Sequence, residues 1–216
     1  MSTSAQRKRR YHHGDLPAAL LQTAGKILEK EGLEALTLRS LTRRTGVSRA
    51  APYRHFRHRE ALLAALAAEG YAMLGRAQRE AAAAGGLRAM GEAYVRFALR
   101  HPQRFRLMFG GQLAIAKHPA LREVALKTFE GLSGALAARV GDAPGARDAS
   151  IAAWALVHGL AQLLLGDRIA AAARQGRAED QFIRDVLGTT RFAAGTANQA
   201  AAGTANPPAA GPAQPA

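Results

Sequence analysis

From Leu16 onward, apolar residues recur at three- and four-residue steps: Leu16, Leu20, Ala24, Ile27 and Leu28. That period places them on one face of a helix. Asp15 can cap this helix, Pro17 is tolerated in its first turn, and Gly32 ends it. Thr37 predicts the N-cap of a second helix, with Leu38 and Leu41 turned inward and Gly46 as its break. Ser48 can cap a third, short helix, on which Tyr53 and Phe56 fall three apart on one side. Glu60 stands in the first turn of a fourth helix, where its charge complements the macrodipole. That helix carries Leu62, Leu63, Leu66 and Met73 and runs to the alanine- and glycine-rich stretch 81–86. Helical spacing resumes over 87–100, Pro102–Phe109, 120–140, 146–166 and 179–192, punctuated by Pro102, Pro119 and the stretch 142–145. No alternating Val/Ile/Thr run suggests a strand. The pattern predicts an all-α chain, with a three-helix head followed by a C-terminal helical bundle.

The two ends break the pattern. Residues 1–13, MSTSAQRKRRYHH, are polar and basic with no apolar period, and read as a disordered arm. After Ala193 the chain has no charge and no large apolar side chain, which predicts a disordered tail over 194–216. Between them the expected units are a head over 14–74 and a bundle over 85–193.

Charge sharpens the picture. The chain carries a formal net charge of +14. Residues 1–66 hold 13 Lys and Arg against 5 acidic residues, a density of positive charge that points to a polyanion partner. There is no cysteine, so disulfides and thiolate metal sites are excluded and a reducing cytoplasm fits. The N-terminus lacks an apolar signal core. The least polar run, 150–166, is 17 residues long with Asp148 and Asp167 near its ends, short for a membrane span and better read as a buried bundle helix.

Leu38–Phe56 has the layout of a helix-turn-helix, two short helices joined at a glycine with Val47 filling the angle between them. Pro52 admits two readings. If Ser48 is the cap, Pro52 lies at the fourth helical position and removes the first intrahelical bond; if the helix starts near Ala51, it is a first-turn residue. On either reading the small Ala50 and Ala51 let the backbone approach base edges, where a methyl group meets thymine, and Arg49 can fork onto guanine. Arg54, His55 and Arg59 would hold phosphates. The arm residues Arg7, Lys8, Arg9 and Arg10 read either as minor-groove cations or as a solvated tail.

The segment TLRSLTRRTGVSRAAPYRHFRHREALL, 37–63, resembles the DNA-binding segment of the TetR family, the tetracycline-repressor-like bacterial regulators, and the likeness covers roughly residues 14–70. It rests on the turn Gly46-Val47-Ser48, on Tyr53 and Phe56, and on the helix start Glu60-Ala61-Leu62-Leu63. The resemblance implies base contacts from Arg49, Ala50, Ala51 and Arg39, and phosphate contacts from Thr37, Tyr53, His55 and Arg59, with Ser48 in the same surface. Pro52, Arg57, His58 and Arg59 depart from the residues usual there, and Pro52 bears on how the recognition helix is aimed. Trp-Ala-Leu-Val-His-Gly, 154–159, together with HPQRFRLMFG, 101–110, resembles the C-terminal domain of a Trp-x-x-x-His-Gly subgroup. The resemblance implies a homodimer built through a four-helix bundle, double-stranded operator DNA as partner, and release by a small effector. The expected dimer helices are 146–166 and 179–192, the latter carrying Phe182, Val186 and Leu187 in phase.

Trp154 and His158 are four apart and share a helical face. They read either as a wall of an effector pocket, with His158 a polar anchor, or as core with a satisfied histidine. Phe105, Met108 and Phe109 read either as lining of the same pocket or as core. Such a pocket would take a small, largely apolar molecule. No catalytic constellation, phosphate loop or dinucleotide motif stands out, so no enzyme activity and no cofactor are expected. His12, His13, His55 and His58 lack acidic partners at ligand spacing, so no metal is expected. The sequence therefore predicts a cytoplasmic one-component regulator, read as a repressor. The alternatives are a non-specific architectural DNA-binding protein and a basic amphipathic protein on anionic membranes, against both of which the helix-turn-helix weighs.

Overall fold

A computed structural model describes residues 16–140 and 146–189. The basic arm, the Asp15 cap, the stretch 141–145 and everything past Thr189 lie outside the described residues. Within them the chain forms nine α-helices and no strand. The head holds α1 (Leu16–Glu31), α2 (Leu38–Thr45) and α3 (Ala51–His55). The long α4 (Arg59–Arg100) leaves the head and enters the body, where α5 (Pro102–Phe109), α6 (Pro119–Val140), α7 (Ala146–Leu165), α8 (Ala171–Arg174) and α9 (Glu179–Gly188) follow. Only the four-residue α8 has no counterpart in the apolar pattern.

Local chemistry sets the head. α1 buries Leu20, Ala24, Ile27 and Leu28, the face its period predicts. Thr37 caps α2 by accepting the Ser40 N–H at 2.9 Å, while the Ser40 side chain accepts the Thr37 N–H at 3.0 Å, a capping box in which serine takes the place of glutamate. Gly46 closes α2 at φ +68°, the left-handed conformation a glycine adopts at low cost.

The third helix starts later than Ser48 predicts. The Ser48 carbonyl accepts the Ala51 N–H at 3.0 Å, Ala50 is the N-cap, and no side chain caps the helix. Pro52 is thus a first-turn residue whose missing N–H leaves no bond unmade. The later start rotates the helix. Pro52 and Phe56 are buried, whereas Tyr53, which the three-residue spacing puts on the same side as Phe56, is 55% exposed. His58 then caps α4, its Nδ1 accepting the Ala61 N–H at 3.1 Å, a role the sequence reading did not assign it.

α4 is broken where the Ala81–Gly86 boundary is expected. Gly85 and Gly86 leave helical geometry, Gly86 with φ +68°. Up to that point α4 crosses residues 75–84 as unbroken helix, so the segment between the expected units is rigid structure rather than linker.

One apolar cluster runs from Leu20 through Leu41, Leu62 and Leu66 into Tyr94, Phe105, Leu160 and Ile183, so head and body share a core. At the junction Arg104 of α5 is buried, donating to the Leu66 carbonyl at 3.1 Å and pairing with Glu69 at 2.8 Å. Glycines make room for it. A Cβ at Gly25 of α1 would collide with the guanidinium, and one at Gly70 of α4 would lie 2.6 Å from Met108 Sδ and 3.1 Å from the Arg104 stem. Glu29 of α1 completes the joint, accepting the backbone N–H groups of Gln103 at 3.2 Å and Arg104 at 3.0 Å. It serves as the cap of α5, a site that favours an anion.

Replacing Pro52 with Ala frees the unfolded chain and removes a buried ring, so urea denaturation should report a loss of about 1 kcal/mol. A gain in stability would mean that the proline strains its helix.

Candidate nucleic-acid interface and cavity

The turn between α2 and α3 presents a continuous basic surface. Thr37, Arg39, Arg43, Val47 and Arg49 border one groove, and Arg39, Arg49 and Tyr53 border the next. Arg39 and Arg43 are one helical turn apart on α2 and so project side by side. Their i,i+4 spacing was legible in the sequence, yet Arg43 was not among the expected contacts. Arg39, Arg43, Arg49, Arg54 and Arg57 are all exposed, and none has a hydrogen-bonding or ionic partner for its guanidinium among the described residues. Arg44, by contrast, turns away and pairs with Glu31 at 2.8 Å. A row of unpaired guanidiniums around a groove is suited to phosphate oxygens and to guanine edges.

The other expected contacts divide by environment. Thr37, Ser48, Ala50, Tyr53, Arg54 and His55 are exposed, and Ala51 is half-buried at the start of α3. Arg59 does not project outward. Its Nε donates to the Leu36 carbonyl at 2.8 Å and its Nη2 to the Leu33 carbonyl at 2.6 Å. These bonds fasten the loop between α1 and α2 and thereby the position of Thr37. Arg59 therefore supports the surface rather than forming it. Residues Arg7 to Arg10 lie outside the described residues.

The body holds a cavity of about 560 Å³ between α4, α5, α6 and α7. Its walls are largely apolar and aromatic, with Tyr71, Tyr94, Phe109, Phe129 and Trp154 among them. Met108, Phe109 and Trp154 line it, while Phe105 and His158 stand one layer behind. Phe105 is fully buried, edge-on to Tyr94 at 5.8 Å and stacked on His158 at 5.4 Å.

A short polar chain holds this wall. The Trp154 Nε1–H can only donate, and it points at the Tyr94 oxygen at 3.2 Å; the Tyr94 O–H therefore donates to His158 Nδ1 at 2.8 Å. The imidazole proton must then sit on Nε2, where the Gln162 amide lies 3.3 Å away and accepts through its oxygen when suitably turned. Burial pulls the His158 pKa below the ordinary histidine value, which favours this neutral form. Burial also pushes the Tyr94 phenol well above its ordinary value and Tyr71 up to about 12, so both remain hydroxyl donors. The Tyr71 O–H donates to the Met108 carbonyl at 3.1 Å. His158 is thus a satisfied histidine behind the wall, its partner the Tyr94 phenol. Among the described residues no group of three His, Cys, Asp or Glu side chains could hold a metal ion.

Comparison with known proteins follows the same division. Residues 20–66 match the family described as bacterial regulatory proteins, tetR family, and residues 87–186 match the tetracyclin repressor-like C-terminal domain. A protein of unknown function from Rhodococcus sp. RHA1 shares 35% identity over 84% of this chain and 96% of its own, with a TM-score of 0.69. The TetR-family transcriptional regulator PfmR from Thermus thermophilus superposes with a TM-score of 0.53 at 22% identity, over 77% of this chain and 97% of its own. The multidrug binding protein EbrR, solved with imidazole, gives 0.54 at 22% identity, over 88% and 96%. No curated protein sequence matches the chain. The matches cover the basic turn and the cavity-bearing body together, and the chain belongs to the TetR family of DNA-binding transcriptional regulators, which are not enzymes.

Proposed function

We propose that this regulator is a cytoplasmic homodimer that represses transcription from a palindromic operator and is released by a small molecule bound in its body. The single observation that carries the reading is the pairing of a basic surface free of carboxylate partners at the α2–α3 turn with a largely apolar cavity some helices away in the same core. Arg49, Ala50 and Ala51 are the base-reading group, with Arg39 and Arg43 beside them. Thr37, Tyr53, Arg54 and His55 hold phosphates.

Support for the dimer comes from α7. Ala152, Ala155 and Leu163 are exposed along one side of a helix whose other side packs into the core, Leu163 with 47% of its surface free. By length and composition this helix would also suit a membrane, but only a third of its most apolar window is buried in one chain. A second copy covers such a face without any lipid. α9 contributes differently from expectation. Phe182, Ile183 and Leu187 are buried against its own chain, so its apolar side is already occupied. In a two-fold dimer the recognition helices enter successive turns of the major groove, about 34–36 Å apart.

α5 gives a route from cavity to DNA. Its C-terminal end supplies Met108 and Phe109 to the cavity wall, and its N-terminal end is capped by Glu29 of the head. A ligand that shifts α5 moves α1 with it. The shift releases DNA to the extent that the ligand prefers the displaced arrangement.

Selection of bound sites from random duplex DNA should return a palindrome with two half-sites. Recovery of unrelated sequences with equal affinity would favour an architectural binder instead. Arg49→Ala should cost about 1–3 kcal/mol at the chosen site and relax the preference at one base pair per half-site. An equal loss on every sequence would make Arg49 a phosphate contact. Glu29→Ala should leave operator recognition intact but narrow the ratio between effector affinities of free and DNA-bound protein by about fivefold, within the usual range for a residue along a coupling route. An unchanged ratio would take Glu29 out of the route.

A further inference from the structure

The cavity carries a charge preference, and we infer that its ligand is an amphiphilic anion, an apolar body bearing a carboxylate or comparable acidic head. This rests on the reading of the cavity as the effector site and adds the chemical class of the effector.

Its size falls in the range that encloses a small organic molecule. Most polar groups on its walls are already engaged. The Tyr71 hydroxyl is bonded to the Met108 carbonyl, the Thr128 hydroxyl lies against the carbonyls of Tyr71 and Val124, and Tyr94 serves His158. Gln78 differs. It is 5% exposed, lines the cavity, and its side-chain amide makes no hydrogen bond within the described residues. Its amide atoms are not sealed from the cavity, so a donor and an acceptor stand open on this wall to a polar atom of the ligand.

The sign of the head group comes from two arginines. Arg122 of α6 and Arg147 of α7 both line the cavity, both are exposed, and neither has an ionic or hydrogen-bonding partner for its guanidinium among the described residues. Among the described residues no aspartate or glutamate lines the cavity with them. Of the carboxylates next to them in sequence, Glu123 is held by Lys127 at 2.7 Å, and Asp148 is exposed and takes no part in the lining. A cationic ligand would face two guanidiniums with no counter-charge. A neutral ligand would leave them to water. A carboxylate meets two planar forks from different helices and keeps its apolar body against the aromatic wall.

Trp154 is the only tryptophan of the chain and lines the cavity, so its fluorescence reports occupancy. The full-length protein is titrated with three probes sharing one body, phenylhexanoate, phenylhexanol and phenylhexylamine, and again with the dodecyl acid, alcohol and amine. Calorimetry on the same samples counts any binding to which Trp154 is blind. The acid should bind at least about tenfold more tightly than the alcohol at low salt, with the amine weakest, and the margin should shrink as salt screens it. In the double variant Arg122→Gln, Arg147→Gln the margin should fall below about threefold. Equal binding of the three head groups, or a preference for the amine, overturns the anionic class while leaving an effector cavity standing. A preference that survives in the double variant overturns the assignment to these arginines. Failure of all six probes to bind removes the effector reading along with the inference.

Discussion

A buried guanidinium holds head and body in one piece. Arg104 lies where α1, α4 and α5 meet, and each helix is shaped around it. α1 and α4 give up side-chain volume at Gly25 and Gly70, α4 supplies the Leu66 carbonyl and the Glu69 carboxylate, and α1 returns Glu29 to the end of the helix that carries the arginine. Taking such a charge out of water is expensive, and the compensating bonds exist in only one mutual arrangement of the three helices. An apolar side chain there could tolerate sliding, whereas the arginine cannot. The joint therefore specifies a geometry at least as much as it adds stability, and both the basic surface and the cavity inherit that geometry.

Most of the fold was legible because its signals are local. Thr37 and Gly46 act within one helical turn of themselves, and the structure has each doing what its chemistry suggests. The misreadings share a cause. Ser48 is a good capping residue, but the turn ahead of α3 is closed by backbone bonds, and two residues of delay rotate Tyr53 out and Pro52 in. Short helices have too few residues for periodicity to fix their phase. Arg59 reads as a phosphate contact until the Leu33 and Leu36 carbonyls, more than twenty residues away in sequence, come within reach. His158 shows the same limit, since its partner Tyr94 is 64 residues distant. Helix starts and apolar faces can be read from neighbours in the chain; polar partners at long range require the fold.

The cavity and the basic surface differ in how they are held. The surface depends on carbonyl bonds from Arg59 and on the capping box at Thr37, both outside the shared core. The cavity wall depends on aromatic packing and on the chain from Trp154 through Tyr94 to His158. With His158 held neutral by burial, that inner chain contributes hydroxyl and indole dipoles but no net charge. Among the described residues the fixed charges of the cavity are then those of Arg122 and Arg147, on the two helices that bracket the stretch 141–145.

The interruption at Gly85–Gly86 has a mechanical consequence. Ahead of it, α4 is an unbroken rod from Arg59, about 39 Å long at the usual rise per residue. Beyond it the backbone turns at a residue pair that resists bending far less than a hydrogen-bonded helix does. A rod hinged at one end magnifies angle into displacement: a tilt of about 5° at the glycines carries the far end through about 3.4 Å at this length. That far end begins at His58, three residues after the last turn of α3. Three ångströms is the difference between a guanidinium fork seated on a base edge and one beside it. On the proposed mechanism, a small rearrangement where Tyr71, Leu74 and Gln78 meet the cavity would tilt this rod together with the helices locked to it at Arg104, and leverage would carry the DNA-reading end out of register.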